Sequence, residues 1–336
     1  MKAPRPLPLF LELVRQVAVN DPLLAREALA GLRAYQSANR GYSAPTKPEI
    51  ARIGPVTVHD HGGDGPPVLL IPSLINPPRI LDLDKKVSLA SAVAQMHRRS
   101  LLLDWGAAGS RQLSVGGHVE ELLLPLLREI GEPAALVGYC LGGTMAVAAA
   151  NLTEVERVVT LATPWHFSNY PEASLASLQD MWRSAEPAAL GLGALPMEVL
   201  QAAFWSLDPE RTVRKFADFG RLDQANPSAA RFVELEDWAN GGEPLPYPAA
   251  KELIGDLFGN DLSGAGRWIV GGRTMKDELP VPLLNLTADE DRIAPASTAP
   301  DGDRIGIASG HVGMIVGSAR TRLHEALRAF LDPACR

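Results

Sequence analysis

Apolar positions recur at helical spacing near the start of the chain, at Leu9, Leu13 and Val17 and again at Leu24, Ala28 and Leu32. This predicts two helices between Leu7 and about Tyr42. Pro45, Pro48 and Gly54 end the pattern. From Pro55 onward, short apolar runs alternate with helical stretches. Val56-Thr57-Val58, Pro67 to Ile71, Ser100 to Leu103, Ala135 to Gly138 and Val158 to Ala162 read as strands. Ser88 to Met96, Val115 to Ile130 and Gly142 to Asn151 read as the helices between them. Such alternation predicts an α/β fold, with a mostly parallel sheet flanked by helices on both faces. After Thr163-Pro164 the alternation stops. Pro171 to about Phe258 reads as helices alone, punctuated by Pro187, Pro196, Pro209 and Pro227. Strands resume at Val281 to Leu286 and Arg304 to Ala308, and a helix over Ala319 to Leu331 closes the pattern.

The expected organisation is an N-terminal helical segment (1–52), a first part of the α/β core (53–163), a helical cap insertion (164–272) and a second part of the core (273–336). An insertion between strands of an open sheet sits over their carboxyl ends, where ligands bind. This one is therefore expected to cover a site. No internal repeat or low-complexity segment interrupts the reading.

Composition narrows the partners. With 336 residues, 46% of them hydrophobic, the chain can bury one large core. Its net charge is −7, with no basic run or basic-aromatic stripe, which argues against nucleic acid. No apolar run is long enough to span a bilayer. Lys2 and Arg5 precede an apolar stretch, but Glu12, Arg15 and Asp21 cut it, so no signal peptide is read and a cytoplasmic location is expected. The two cysteines, Cys140 and Cys335, do not make a disulfide scaffold or a zinc spacing. No metal or cofactor is expected. Trp182, Trp205, Trp238 and Trp268 lie in or near the insertion and are read as packing.

The chemistry centres on Gly138-Tyr139-Cys140-Leu141-Gly142-Gly143-Thr144, between a strand and a helix. Strand, sharp turn and helix are the context of a nucleophile elbow. A side chain at Gly138 or Gly142 is expected to collide with a neighbouring strand or helix. The helix that follows points its N-terminal dipole at the sulfur, which favours thiolate. The Leu141 N–H is left to face a developing oxyanion. Elbow enzymes run in the order nucleophile, acid, histidine. His311, in Gly310-His311-Val312-Gly313, is the candidate base, and Asp291, in the loop after the Leu286 strand, the candidate acid, with Asp289 as runner-up. His166 follows a strand on the same edge and is expected to touch substrate. His59 and His61, at the end of an early strand, are read as surface residues; His97, His118 and His324 fit helix faces. Cys335 is read as a bystander.

A cysteine nucleophile forms a thioester. When the donor is also a thioester, the first exchange is nearly thermoneutral, and a hydroxyl can then take the acyl group as an oxoester. The thiol therefore tilts the reading from hydrolysis toward acyl transfer.

The Gly138 to Thr144 box resembles the lipase-like box of polyhydroxyalkanoate synthases, in which cysteine replaces serine. Leu70 to Asn76, Ile80 to Leu83, Ser88-Leu89, Leu103 to Gly106, Asp291 to Pro295 and Gly310 to Gly313 resemble further motifs of that family in the same order. The likeness runs from about Pro67 to Ser318. It departs at Arg292, where the family usually has histidine. The resemblance implies an α/β-hydrolase fold and a role for each matched residue. Cys140 would carry the acyl chain, and His311 would deprotonate Cys140 and the incoming 3-hydroxyl. Asp291 would orient His311 or help activate that hydroxyl, Leu141 and Ile75 would supply the oxyanion-hole N–H groups, and Tyr139 and Asn76 would meet substrate. The implied donor is a 3-hydroxyacyl-coenzyme A and the product a polyester. The implied partners are a second copy of the chain, a partner synthase subunit, or the surface of a polyester granule. A thioesterase or ester hydrolase using the same three residues is the alternative, and a non-catalytic granule-associated subunit is a third reading.

Overall fold

The computed structural model describes residues 2–40 and 46–332. Cys335, and Tyr42 at the end of the second expected helix, lie outside them. Eight strands form the main sheet: β1 (Glu49–Ile53), β2 (Val56–Asp60), β3 (Pro67–Ile71), β4 (Arg99–Asp104), β5 (Ala135–Tyr139), β6 (Val158–Leu161), β7 (Leu283–Ala288) and β8 (Asp303–Ile307). Their order is β1-β2-β4-β3-β5-β6-β7-β8. β2 runs antiparallel to both β1 and β4, and the remaining pairs are parallel. β3 and β5 are buried along their whole lengths, as strands covered on both faces must be, and their unbroken apolar sequence reflects this. β1 begins at Glu49, ahead of the boundary expected at 53. Its alternation is weak because it is an edge strand, mostly exposed.

The helices include α1 (Leu7–Asn20), α2 (Pro22–Ser37), α3 (Leu141–Leu152), α4 (Glu172–Leu192), α5 (Met197–Ser206), α6 (Pro209–Arg221), α7 (Pro227–Ala239) and α8 (Arg320–Leu331). Asp21 caps α2 through the Leu24 N–H, and Asp208 caps α6 through the Arg211 N–H. Val115–Ile130 is one continuous helical run with a π-helical middle over Val119–Leu123.

Two compact units emerge, and they divide the chain differently from the sequence reading. One combines the described residues of 1–44 with Pro196–Glu243; the other holds 45–195 and the rest of the chain from Pro244. The expected insertion is therefore not one body. Its middle, α5 to α7, shares a core with the N-terminal helices, whereas α4 and the stretch after Pro244 belong with the sheet. The cause is apolar pairing between distant segments. Phe10, Leu32 and Tyr35 bury against Val213 and Phe216 in one core cluster. α2 and α6 approach so closely that a Cβ on Gly31 would collide with the Phe216 carbonyl. Asp237 accepts from the Tyr35 hydroxyl at 2.6 Å and from Arg40 Nε at 2.8 Å, tying α7 to the end of α2.

The four tryptophans near the insertion are all buried, as packing residues should be. One surface reading is overturned. The His61 side chain is 3% exposed and lies 3.4 Å from Asp82, and burial holds its pKa below the usual value. Its neighbour Asp82 lies twenty-one residues on in the chain, which no local pattern announces.

Candidate functional site

The parallel strands deliver three loops to one edge of the sheet. β5 ends at Tyr139 and the chain turns sharply into α3 at Leu141, leaving Cys140 at φ 56°, ψ −128°. A non-glycine residue reaches this left-handed φ only when its surroundings impose it. Here the Cys140 N–H is fixed on the Leu161 carbonyl at 2.9 Å and the Cys140 carbonyl accepts from Gly143 at 2.9 Å. The flanking glycines make the turn possible by their lack of bulk. A Cβ on Gly142 would collide with the Ile71 carbonyl of β3, and one on Gly138 would drive into the backbone of Gly142 and Gly143. Cys140 is thus presented at a helix N-terminus, partly exposed, with a free thiol.

His311 follows β8 and Asp291 follows β7. The Asp291 carboxylate is withdrawn from solvent, and its Oδ2 accepts from His311 Nδ1 at 2.6 Å. Its Oδ1 accepts from the backbone N–H groups of Ile293 and Ala294 at 2.7 and 2.9 Å. Three donors therefore fix both oxygens. Since a carboxylate only accepts, the proton sits on Nδ1 and Nε2 is left for the sulfur. The Cys140 sulfur is close enough to His311 for its charge to act on the imidazole. Burial opposes charge on this imidazole, but the negative charges of the Cys140 sulfur and the Asp291 carboxylate outweigh it. The imidazolium persists to about 10. Asp289 does not compete: it is exposed and its Oδ1 lies against Gly306 of β8.

The remaining predicted site residues take more varied places. Leu141 is the first residue of α3, so its N–H has no acceptor within the helix. The Ile75 N–H is engaged with Ser73 Oγ at 3.3 Å, so it reaches an oxyanion only by giving up that bond. The loop carrying both is braced by Trp105, whose indole N–H donates to the Pro72 carbonyl at 2.9 Å. Asn76 is half-buried in the same loop. Tyr139 is buried rather than open to a ligand. Its ring packs 5.1 Å from that of His311, and its hydroxyl donates to the His311 carbonyl at 3.3 Å. His166 lies against Asp277 and Asp301, and none of its described contacts is with Cys140 or His311.

One neighbour escaped the sequence reading. Tyr170 is buried beside the site, its hydroxyl donating to the Ile293 carbonyl at 2.8 Å. Burial, with the nearby charges of Cys140 and Asp291, raises its pKa well above the ordinary tyrosine value. Phe167 stacks on its ring at 6.1 Å and Phe258 packs against it at a tilt, 5.0 Å away. No motif marks Tyr170; only the fold brings it here.

The arrangement can form a covalent bond to an acyl carbon at sulfur, move one proton through imidazole and hold an oxyanion on backbone N–H groups. Comparison with known proteins agrees with this class of chemistry. No protein-family model matches the chain. The poly(3-hydroxyalkanoate) polymerase subunit PhaC of Synechocystis is 25% identical over 79% of this chain and 77% of its own. That of Allochromatium vinosum is 23% identical over 79% of this chain and 80% of its own. The chain is thus similar, at a divergent distance, to the polyhydroxyalkanoate synthases. Its fold is that of the α/β-hydrolases. A thermophilic esterase from Thermogutta terrifontis superposes with a TM-score of 0.50 at 16% identity, over 85% of this chain and 98% of that one. Synthase relatives and esterase-like fold together mark an enzyme of the transferase or hydrolase kind. Among the described residues, no helix is long and apolar enough to cross a membrane.

Proposed function

We propose that this synthase-like chain transfers a 3-hydroxyacyl group from coenzyme A, through a thioester on Cys140, to a hydroxyl acceptor. The observation that carries the reading is a cysteine at a strained elbow, near an imidazole that a buried carboxylate orients at 2.6 Å.

The Cys140 thiolate attacks the thioester carbonyl, and the oxyanion that forms takes the Leu141 N–H and, after release from Ser73, the Ile75 N–H. The carbon–sulfur bond to coenzyme A breaks, and the departing thiolate takes the proton held by His311. The exchange replaces one thioester with another and is nearly thermoneutral. His311, now neutral, accepts the proton of an incoming 3-hydroxyl, whose oxygen attacks the acyl carbon. An oxoester forms and Cys140 leaves as thiolate. Asp291 holds the imidazole in the tautomer both steps need. The apolar wall of Phe167, Tyr170 and Phe258 favours an acyl chain over water beside the sulfur. Coenzyme A thioesters as donors assign the reaction to the cytoplasm.

The test is incubation of the pure chain with 3-hydroxybutyryl-coenzyme A, following thiol release and product size. Polymer or acyl-ester product supports transfer. Free 3-hydroxybutyrate as the sole product reassigns the site to hydrolysis, and no thiol release removes catalysis of this donor altogether. Cys140→Ala should lower thiol release by several orders of magnitude; turnover near that of the parent chain would end the proposal.

A further inference from the structure

Away from the sulfur, three loops of the sheet-bearing unit bring together His166, Asp277 and Asp301. One ligand-type atom from each lies within 4.8 Å of the others. His166 Nε2 is 3.0 Å from Asp277 Oδ2 and 3.7 Å from Asp301 Oδ1. The nitrogen has essentially no exposed surface, yet its approach to Asp277 misses hydrogen-bond geometry, so among the described residues it makes no hydrogen bond. A buried ring nitrogen pointed at carboxylate oxygens without bonding them is poorly served as a simple pair, because each such group left unpaired costs free energy. A cation between the atoms satisfies all of them at once.

We propose that His166, Asp277 and Asp301 form a binding site for a divalent transition-metal cation of the zinc or manganese class. One imidazole and two carboxylates suit that class. A cation about 2.0–2.2 Å from nitrogen and oxygen ligands sets those ligands roughly 3.0–3.5 Å apart; the His166–Asp277 spacing of 3.0 Å meets this, and the exposed Asp301, at 3.7 Å from His166, closes the remainder by a small side-chain movement. Each ligand is held by its own backbone anchor. The N–H groups of Trp165 and His166 both donate to the Thr298 carbonyl, at 2.7 and 2.9 Å. Asn151, near the end of α3, clamps Lys276 on both sides, donating to its carbonyl at 2.7 Å and accepting from its N–H at 3.2 Å. Buried Asn285 donates to the Pro300 carbonyl at 3.0 Å, and the Asp301 N–H donates to Asp277 Oδ2 at 2.8 Å. Outer partners of this kind orient ligands and raise affinity. The remaining coordination positions open to water beside Asp301, whose side chain is 87% exposed. Bound there, the cation cross-links the loop leading to Tyr170 with the loops on either side of β7. Its role is to fix those loops, and no step of acyl transfer passes through it.

The test uses the full-length chain stripped with a chelator and titrated with Mn2+, which avoids competition from the thiol because it prefers oxygen and imidazole to sulfur. Free Mn2+ is read by electron paramagnetic resonance, and thermal unfolding is followed in parallel. One saturable site per chain and a melting temperature that rises with Mn2+ are expected. Asp277→Asn and His166→Asn should each lose the site. Asp301→Asn, on an exposed side chain that cannot upset folding, should weaken it by about tenfold or more. Absence of a saturable site, or stoichiometry and affinity unchanged in His166→Asn and Asp301→Asn, overturns the proposal and leaves an ordinary His–Asp ion pair.

Discussion

At the scale of single residues, the sulfur and the imidazole form one electrostatic object. His311 stays protonated because anionic partners flank it on two sides. Cys140→Ala removes one of them, so the His311 pKa should fall from about 10 toward the ordinary 6.5. NMR titration of the ring proton reads this directly, and an unchanged titration would deny the sulfur its electrostatic share. A histidine whose pKa is raised by folding stabilises the folded state fully below its unfolded value. That contribution is lost as pH climbs through the folded value. Stability of the parent chain should therefore decline between about 6.5 and 10, more steeply than that of Cys140→Ala, as denaturant titrations at stepped pH would reveal. The elbow was legible in sequence because its glycines are dictated by backbone collisions, and such collisions leave a fixed spacing. The choice between Asp291 and Asp289 was not legible. Two residues along one loop differ only in where the turn aims them, and the Ile293 and Ala294 N–H groups decide that. Tyr139 was expected to meet substrate, but it lies buried with its ring 5.1 Å from that of His311, on a strand covered on both faces.

At the scale of elements, strand–helix alternation announced the sheet, since burial on both faces demands unbroken apolar runs. The helices were visible too, but not their partners. The pairing of α2 with α6 joins positions nearly two hundred residues apart, and neither segment's amphipathic stripe names what covers it. The crossing rests on Gly31, whose hydrogen atom faces the Phe216 carbonyl. Gly31→Ala should destabilise the chain by about 1–3 kcal/mol, because backbone on the opposite helix cannot yield as a side chain would. Urea unfolding would measure this, and a midpoint equal to that of the parent chain would show that the helices separate at little cost. His61 teaches the same lesson in reverse, as a polar end of strand buried beside a later residue.

At the scale of the whole molecule, the chain builds one compact unit from two stretches that the sheet-bearing unit separates. Truncation of residues 1–40 should strip Phe10, Leu32 and Tyr35 from the shared cluster and bare Val213 and Phe216. The shortened chain should bind a hydrophobic dye such as ANS and be cut by protease within Pro196–Glu243. Dye binding and protease resistance like those of the intact chain would mean that α5 to α7 hold together unaided. Interleaving of this kind also has a timetable. α1 and α2 leave the ribosome before α6, with apolar stripes whose partners are not yet translated. α6 follows roughly 170 residues later, on the order of ten to forty seconds at ordinary translation speeds. Through that interval the nascent chain carries two sticky helices while its sheet is being made, so holdase chaperones should bind α1 and α2 on the ribosome, and slowing synthesis before α6 should lower the soluble yield.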